Sequence, residues 1–151
     1  MIRAYGDSVK KFYKKINMRN INNIKPDFII SDRYKFIIND KICRIFKNRI
    51  INLHPSFLPY CRGSHPIFFS VYKRRPIGIT IHILTKKLDG GPILLQKKIK
   101  VSKNTTLRDL YKKIRREFYT LLKKNWVAIK KRKIKTSKQS GKVTEIFKKK
   151  E

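Results

Sequence analysis

Asn52, His54 and Asp89 are an amide, an imidazole and a carboxylate, three side-chain types that together can carry out acyl transfer. The amide can donate to an oxyanion, and the imidazole can give or take a proton near neutral pH. A carboxylate beside the imidazole strengthens its hold on that proton and fixes its tautomer. Asn52 and His54 are two residues apart, so in an extended segment both side chains leave the same face. On types and spacing alone, the plainer alternative is that an Asn or Asp at a strand end serves as a turn or cap residue. His65 and His82 have no metal-ligand spacing to a carboxylate, and Cys43 and Cys61 are too few for a thiolate zinc site, so no metal is expected. Both cysteines read as reduced and packed. Neither Ser56 nor Ser64 sits in a Gly-x-Ser-x-Gly elbow, so no serine nucleophile is expected.

The elements that must hold these residues follow from apolar spacing. Ile50-Ile51-Asn52-Leu53 reads as a buried strand running into His54-Pro55 and a loop over 56–66. Upstream, Val9, Phe12, Ile16, Ile21 and Ile24 predict an amphipathic helix within 8–24, followed by a strand at 27–30 and a short helix starting near Asn39 or Asp40. Downstream, a short helix is predicted over 67–73. From 77 to 84, Ile77, Ile79, Ile81 and Ile83 alternate with Gly78, Thr80, His82 and Leu84, the period of a half-buried strand with His82 facing away from the isoleucines. A turn at 88–92 precedes strands at 93–95 and around 98–101. Thr106 is a good N-cap for a long helix carrying Leu107, Leu110, Ile114, Phe118, Leu121, Leu122, Trp126 and Ile129 on one stripe. Beyond Lys133 the pattern predicts a loosely packed, solvated tail, dividing the chain into a domain over 1–133 and a basic tail over 134–151. Alternating helices and strands predict an α/β domain with a mostly parallel sheet. Ligands in such sheets bind beyond the carboxyl ends of the strands, where 52–54 and 89–91 both fall.

The chain has 151 residues, 40 Lys+Arg against 9 Asp+Glu, and a net charge of +31. At that length it holds one domain, and a 40% hydrophobic content excludes a disordered chain. A field of this size attracts tRNA, other polyanions or phosphorylated ligands. The lysines are dispersed, however, and accompany many Ile and Asn residues, the pattern of AT-rich coding. No apolar run approaches the roughly 18 residues of a membrane span, and the first residues lack an apolar signal region. A cytoplasmic protein without a membrane partner is therefore expected.

Residues 51–66, Ile-Asn-Leu-His-Pro-Ser-Phe-Leu-Pro-Tyr-Cys-Arg-Gly-Ser-His-Pro, resemble a signature of the 10-formyltetrahydrofolate-dependent formyltransferases: Asn-x-His, a small-residue pair, Leu-Pro, then Arg-Gly. Gly78-Ile79-Thr80-Ile81-His82 and Leu88-Asp89-Gly90-Gly91-Pro92-Ile93-Leu94 are similar to that family's second signature. The two stand in the family's order, with a family-like interval between His54 and Asp89. Weaker resemblance reaches from about residue 21 to residue 144, including Pro26 to Ile38 and, from the amino-sugar branch, Asn125-Trp126 and Lys138-Gln139-Ser140-Gly141.

The resemblance implies a Rossmann-like formyltransferase domain that takes a formyl group from 10-formyltetrahydrofolate, as co-substrate, to a small-molecule amine. It implies that Asn52 and His54 stabilise the oxyanion and that Asp89 holds the imidazolium and assists proton transfer. It further implies that backbone groups of Phe36, Ile37 and Ile38 and the loop of Gly90 and Gly91 hold the pterin. Arg62 and Gly63 would lie beside the acceptor, where the arginine could meet a phosphate, with His82 in the site wall. The chain departs from the family pattern in lacking the usual opening strands, so the catalytic domain is expected to be incomplete at its N-terminus, and in having Val143 where glycine is favoured. Methionyl-tRNA formyltransferases carry a further barrel domain for which 151 residues leave no room. The favoured acceptor is therefore a nucleotide-linked amino sugar, with methionyl-tRNA second and glycinamide ribonucleotide third. The reading from another class is an inactive basic remnant of the fold that binds RNA or another polyanion.

Overall fold

The computed structural model of the chain describes residues 2–5, 10–12, 17–34, 36–141, 143 and 146–147. The chain begins with β1 (Ile2–Tyr5), β2 (Lys10–Phe12), α1 (Met18–Ile24) and β3 (Phe28–Asp32). It continues through α2 (Asp40–Ile45), β4 (Ile50–His54), β5 (Arg62–Gly63) and α3 (Pro66–Tyr72). The remaining elements are β6 (Gly78–Ile83), β7 (Ile93–Lys98), α4 (Leu107–Lys130) and β8 (Ile146–Phe147). The main sheet has the order β2-β1-β3-β4-β6-β7, and β5 pairs separately with β8.

The α/β class agrees with the sequence pattern, but the sheet is mixed. Among the described residues of the main sheet only β3 and β4 are parallel neighbours; β2 and β7 also run in their direction, while β1 and β6 oppose them. Connection length explains part of this. The turn over 84–92 between β6 and β7 is too short for the crossover of about a dozen or more residues that a parallel neighbour needs. The opening differs as well: the pattern predicts a helix within 8–24 and no opening strand, whereas β1 and β2 extend the sheet from β3 and only 18–24 is helical. The helical pattern over 8–16 rests on Val9, Phe12 and Ile16; Phe12 closes β2, and Val9 and Ile16 lie outside the described residues. One strand, Ile93–Lys98, replaces the two expected over 93–101.

Alternation along the central strands divides the core between the two sheet faces. Phe28 and Ile30 of β3, Ile51 and Leu53 of β4, and Ile79, Ile81 and Ile83 of β6 pack with Leu110, Ile114, Phe118 and Ile129 of α4. Thr106 caps that helix as its sequence predicts, accepting from Asp109 N–H at 3.2 Å while its hydroxyl donates to Asp109 Oδ2 at 2.6 Å. On the opposite face Ile29 and Ile50 pack with Ile21 of α1, Ile38 before α2, Ile42 within α2 and Phe46 at its C-terminal cap. That second cluster includes Ile50 but no later residue of β4. The same face then continues along β4 as Asn52 and His54, whose register partners on β6 are His82 and Thr80. The polar ends of these strands thus meet where the second apolar cluster stops.

Strand β6 is buried on both faces rather than one. The cause is the loop after His54, which folds over its polar side: Thr80 Oγ1 donates to Ser56 O at 2.8 Å and accepts from Leu58 N–H at 3.2 Å. Gln96 Nε2 donates to Thr80 Oγ1 at 2.9 Å and to Leu58 O at 2.8 Å, closing the layer from β7.

Candidate active site

Asn52, His54 and His82, from two paired strands, converge on Asp89 in the loop after β6. Asn52 Nδ2 donates to Asp89 Oδ1 at 3.0 Å, and His82 Nε2 lies 3.5 Å from the same oxygen. The other oxygen, Oδ2, faces His54 Nδ1 at 3.4 Å and accepts the Gly63 backbone N–H at 2.8 Å. The carboxylate is bound on both oxygens, yet its side chain keeps 11% of its surface accessible.

Hydrogen bonds on the far sides of the two imidazoles fix their tautomers. A carbonyl oxygen only accepts, so His54 Nε2, 2.9 Å from Cys61 O, carries a hydrogen, as does His82 Nδ1, 2.9 Å from Ile83 O. In the neutral rings the remaining nitrogens, His54 Nδ1 and His82 Nε2, are bare and face Asp89; His82 Nε2 then accepts from Asn52 Nδ2 at 3.3 Å. A proton entering this cluster therefore has nitrogen and carboxylate sites on a single line of contacts. His54 is 3% exposed, with both ring nitrogens directed at protein groups.

Burial pushes His54 below its ordinary value; Asp89 pulls it back up only in part, while His82 and Arg62 add to the lowering. For Asp89, burial acts upward, but the hydrogen bond a protonated His82 donates, the positive charges of the protonated His54 and His82 rings and the Gly63 N–H outweigh it and hold the carboxyl at about 2. Near neutral pH the resting pair is thus a neutral imidazole beside an ionised carboxylate.

The other expected site residues fall into two groups. Ile38 belongs to the apolar cluster against which Leu84, at the start of the loop that carries Asp89, also packs, while Ile37 presents its side chain outward at 85% exposure. Gly90 and Gly91 form the turn after Asp89, and a Cβ on Gly91 would come within 1.9 Å of Ile83 O, so the chain there requires glycine. Arg62, by contrast, is buried at 2% exposure, its guanidinium turned into the protein. Its Nη2 donates to Gln139 Oε1 at 2.5 Å. Gly63 contributes its N–H to Asp89, and His82 touches Asn52 and Asp89 as part of the buried wall.

Gln139 is the participant that residue types and periodicity miss. Its Nε2 donates to Asp89 O and Gly91 O, both at 2.8 Å, from a segment expected to be a loose tail. Ser137 forms an antiparallel bridge with Ile93, and β8 pairs with β5, so the 134–147 stretch is attached at several points beside the site. Among the described residues no group of His, Cys, Asp and Glu could hold a metal ion. No helix among them is long and apolar enough to cross a membrane.

The fold and site define an α/β domain with an amide, an imidazole and a carboxylate gathered at paired strand ends. A model of the family described as formyl transferase matches residues 4–125. The chain belongs to that family. It is 37% identical over 131 residues to the bifunctional polymyxin resistance protein ArnA of Wigglesworthia glossinidia brevipalpis, covering 74% of this chain and 19% of that protein. It is also 37% identical over 100 residues to the methionyl-tRNA formyltransferase of Wolbachia pipientis, covering 66% of this chain and 33% of the relative. Among solved structures, the formyltransferase PseJ of Anoxybacillus kamchatkensis, in complex with UDP-4,6-dideoxy-4-formamido-L-AltNAc and tetrahydrofolate, aligns with a TM-score of 0.86 at 32% identity. That alignment covers 92% of this chain and 73% of PseJ. The chain thus spans a fifth to a third of these two curated relatives and about three quarters of PseJ.

Proposed function

We propose that this chain transfers a formyl group from 10-formyltetrahydrofolate to a primary amine, and that the amine belongs to a nucleotide-linked amino sugar. The observation that carries the reaction type is the Asp89 carboxylate, ionised and set between His54 Nδ1 and His82 Nε2, with Asn52 donating to it. Attack by the amine on the formyl carbon forms a new C–N bond and puts negative charge on the formyl oxygen. Asn52, the partly accessible member of β4, is the amide placed to donate to that oxygen once it releases its bond to Asp89 Oδ1 or to His82 Nε2. His54, expected to share this role, has Nε2 on Cys61 O and Nδ1 facing Asp89, so it backs the carboxylate and does not donate to the oxygen. Asp89, with His54 Nδ1 behind it, takes the proton that the amine loses and returns it to the nitrogen of the departing folate, so charge and atoms balance when the old C–N bond breaks. The donor supplies the activated formyl group. The residues favoured to hold its pterin are Phe36, Ile37 and Ile38 with Gly90 and Gly91, as the family resemblance implies; Ile38 belongs to the apolar cluster against which Leu84, at the start of the Asp89 loop, also packs.

Similarity to PseJ over 92% of this chain supports the sugar acceptor, since that protein was crystallised with a UDP-linked formamido sugar. Methionyl-tRNA stands second, supported by the Wolbachia relative and by a charge of +31 that attracts RNA.

The test has two stages. Calorimetric titration with 5-formyltetrahydrofolate at moderate salt should give saturable one-site binding. Competition between UDP-linked amino sugars and methionyl-tRNA should then favour the sugar. Preference for methionyl-tRNA would overturn the acceptor and keep the reaction. Absence of folate binding by the folded protein, together with steeply salt-dependent RNA binding that Asp89→Asn leaves unchanged, would replace the enzyme reading with the basic binding module.

A further inference from the structure

We infer that Gln139 is a positioning residue for Asp89, acting through the backbone of the loop that carries the carboxylate. The inference rests on the catalytic reading of Asp89. Its observations are geometric. Gln139 Nε2 donates to the carbonyl oxygens of Asp89 and Gly91, each at 2.8 Å, and Oε1 accepts from Arg62 Nη2. One side chain therefore joins the loop that carries Asp89 to the strand β5 that supplies its N–H donor, because Arg62 immediately precedes Gly63.

Both ends of this clasp need fixing. Asp89 has φ 42, a left-handed conformation that costs a non-glycine residue on the order of 1 kcal/mol. Something must hold that backbone, and Gln139 binds its carbonyl. Arg62 is buried, and its Nε and Nη1 have no hydrogen-bond partner among the described residues, so the bond to Gln139 is one of few that orient it. Gln139 is itself set from behind: Ser137, two residues earlier, exchanges both backbone bonds with Ile93 at 2.8 and 2.9 Å. Further along, Phe147 O accepts Ser64 N–H at 2.8 Å and the Phe147 ring stacks on Phe69. The segment after α4 thus grips the Asp89 loop through Gln139 and grips β5 through β8. Both grips act on where the Asp89 oxygens lie between His54 and His82.

Gln139→Leu removes all three bonds, while Gln139→Glu keeps an acceptor for Arg62 and removes both donors. Carbon-13 NMR titration of the Asp89 carboxyl, with Asp89→Asn identifying its signal, reads the position of the carboxylate without requiring turnover. In both variants its midpoint should rise by about one pH unit, a tenfold change in proton affinity. With a competent acceptor, kcat should fall about tenfold or more while KM for the amine changes less than about threefold, the split expected when a reacting group is misplaced. A folded Gln139→Leu protein with an unmoved Asp89 titration and kcat within about twofold of wild type overturns the inference. If that variant does not fold, Gln139→Glu decides by the same two readings; if neither folds, the role is structural and the inference falls. Wild-type protein that formylates no amine would overturn the proposed function alone, because the titration still tests Gln139.

Discussion

Asp89 Oδ2 lies 3.4 Å from His54 Nδ1 on the one side of the ring that no protein hydrogen fills, since His54 Nε2 donates to Cys61 O. In the proposed reaction this relationship would set the direction of proton flow. The carboxylate, more accessible than the ring, meets an incoming proton first, and the imidazole nitrogen behind it shares the load.

Asp89→Asn should therefore lower kcat for formyl transfer by about 10²–10⁴-fold, the usual scale for losing a positioned proton acceptor. The amide still fills the space and can accept from Gly63 N–H, so the folded state should survive. Steady-state kinetics alongside far- and near-ultraviolet circular dichroism check both halves; a folded variant with near wild-type kcat would sink the assignment.

Stability should fall as pH falls, in two stages with the same sign. Both His54 and Asp89 hold protons less tightly when folded than when unfolded, so the unfolded chain binds more protons on acidification. His54's contribution is complete above the ordinary histidine value near 6.5 and is lost as pH drops through its lower folded value. Asp89's contribution is complete above about 3.9 and is lost on descent towards its folded value of about 2. Urea midpoints measured from pH 8 downward should show a first decline in wild type that disappears in His54→Gln.

Thr80 should matter more than its size suggests. Its hydroxyl, itself fully buried, donates to Ser56 O and accepts from Leu58 N–H and from the part-buried Gln96 Nε2. Thr80→Val keeps the shape but leaves the Leu58 N–H without that acceptor and Ser56 O without that donor, at a cost of roughly 2–4 kcal/mol. Thr80→Ser retains the hydroxyl and should lose only about 1 kcal/mol for the missing methyl group. Chemical denaturation of the two variants side by side distinguishes polar satisfaction from packing.

The sequence made the centre of the molecule legible and its margins less so. Period-two alternation at 50–54 and 77–84 placed Asn52, His54, Thr80 and His82 on one side of their strands, because strand geometry leaves no other option. The stripe from Leu107 to Ile129 did the same for α4. Two short strands near the start escaped: β1 is only four residues long, too short to show a period, and in β2 a single Phe12 after two lysines fits period two and period 3.6 alike. Gln139 escaped for a different reason. Its contacts with Asp89 and Gly91 span about fifty positions, and no local periodicity reports a long-range bond from a lysine-rich segment. The burial of Arg62 was hidden likewise, since charge alone predicts exposure.

Gly90 and Gly91 are neighbours in the same turn and should respond oppositely to alanine. A Cβ on Gly90 would approach Lys87 Cγ at 2.5 Å, but Lys87 is an exposed, flexible side chain that can rotate away. On Gly91 the new carbon would lie 1.9 Å from Ile83 O, a backbone atom at the end of a buried strand that cannot move alone. Ile83 also accepts from His82 Nδ1, so displacing its carbonyl disturbs the bond that fixes the His82 tautomer facing Asp89. Gly90→Ala should change stability by less than about 0.5 kcal/mol, the scale of an ordinary surface substitution. Gly91→Ala should cost on the order of 1–3 kcal/mol, as overpacking does, and should weaken 5-formyltetrahydrofolate binding as well. Denaturation curves and calorimetry on the two variants make the comparison, and equal behaviour would mean that the close approach of Ile83 to this turn does not shape the site.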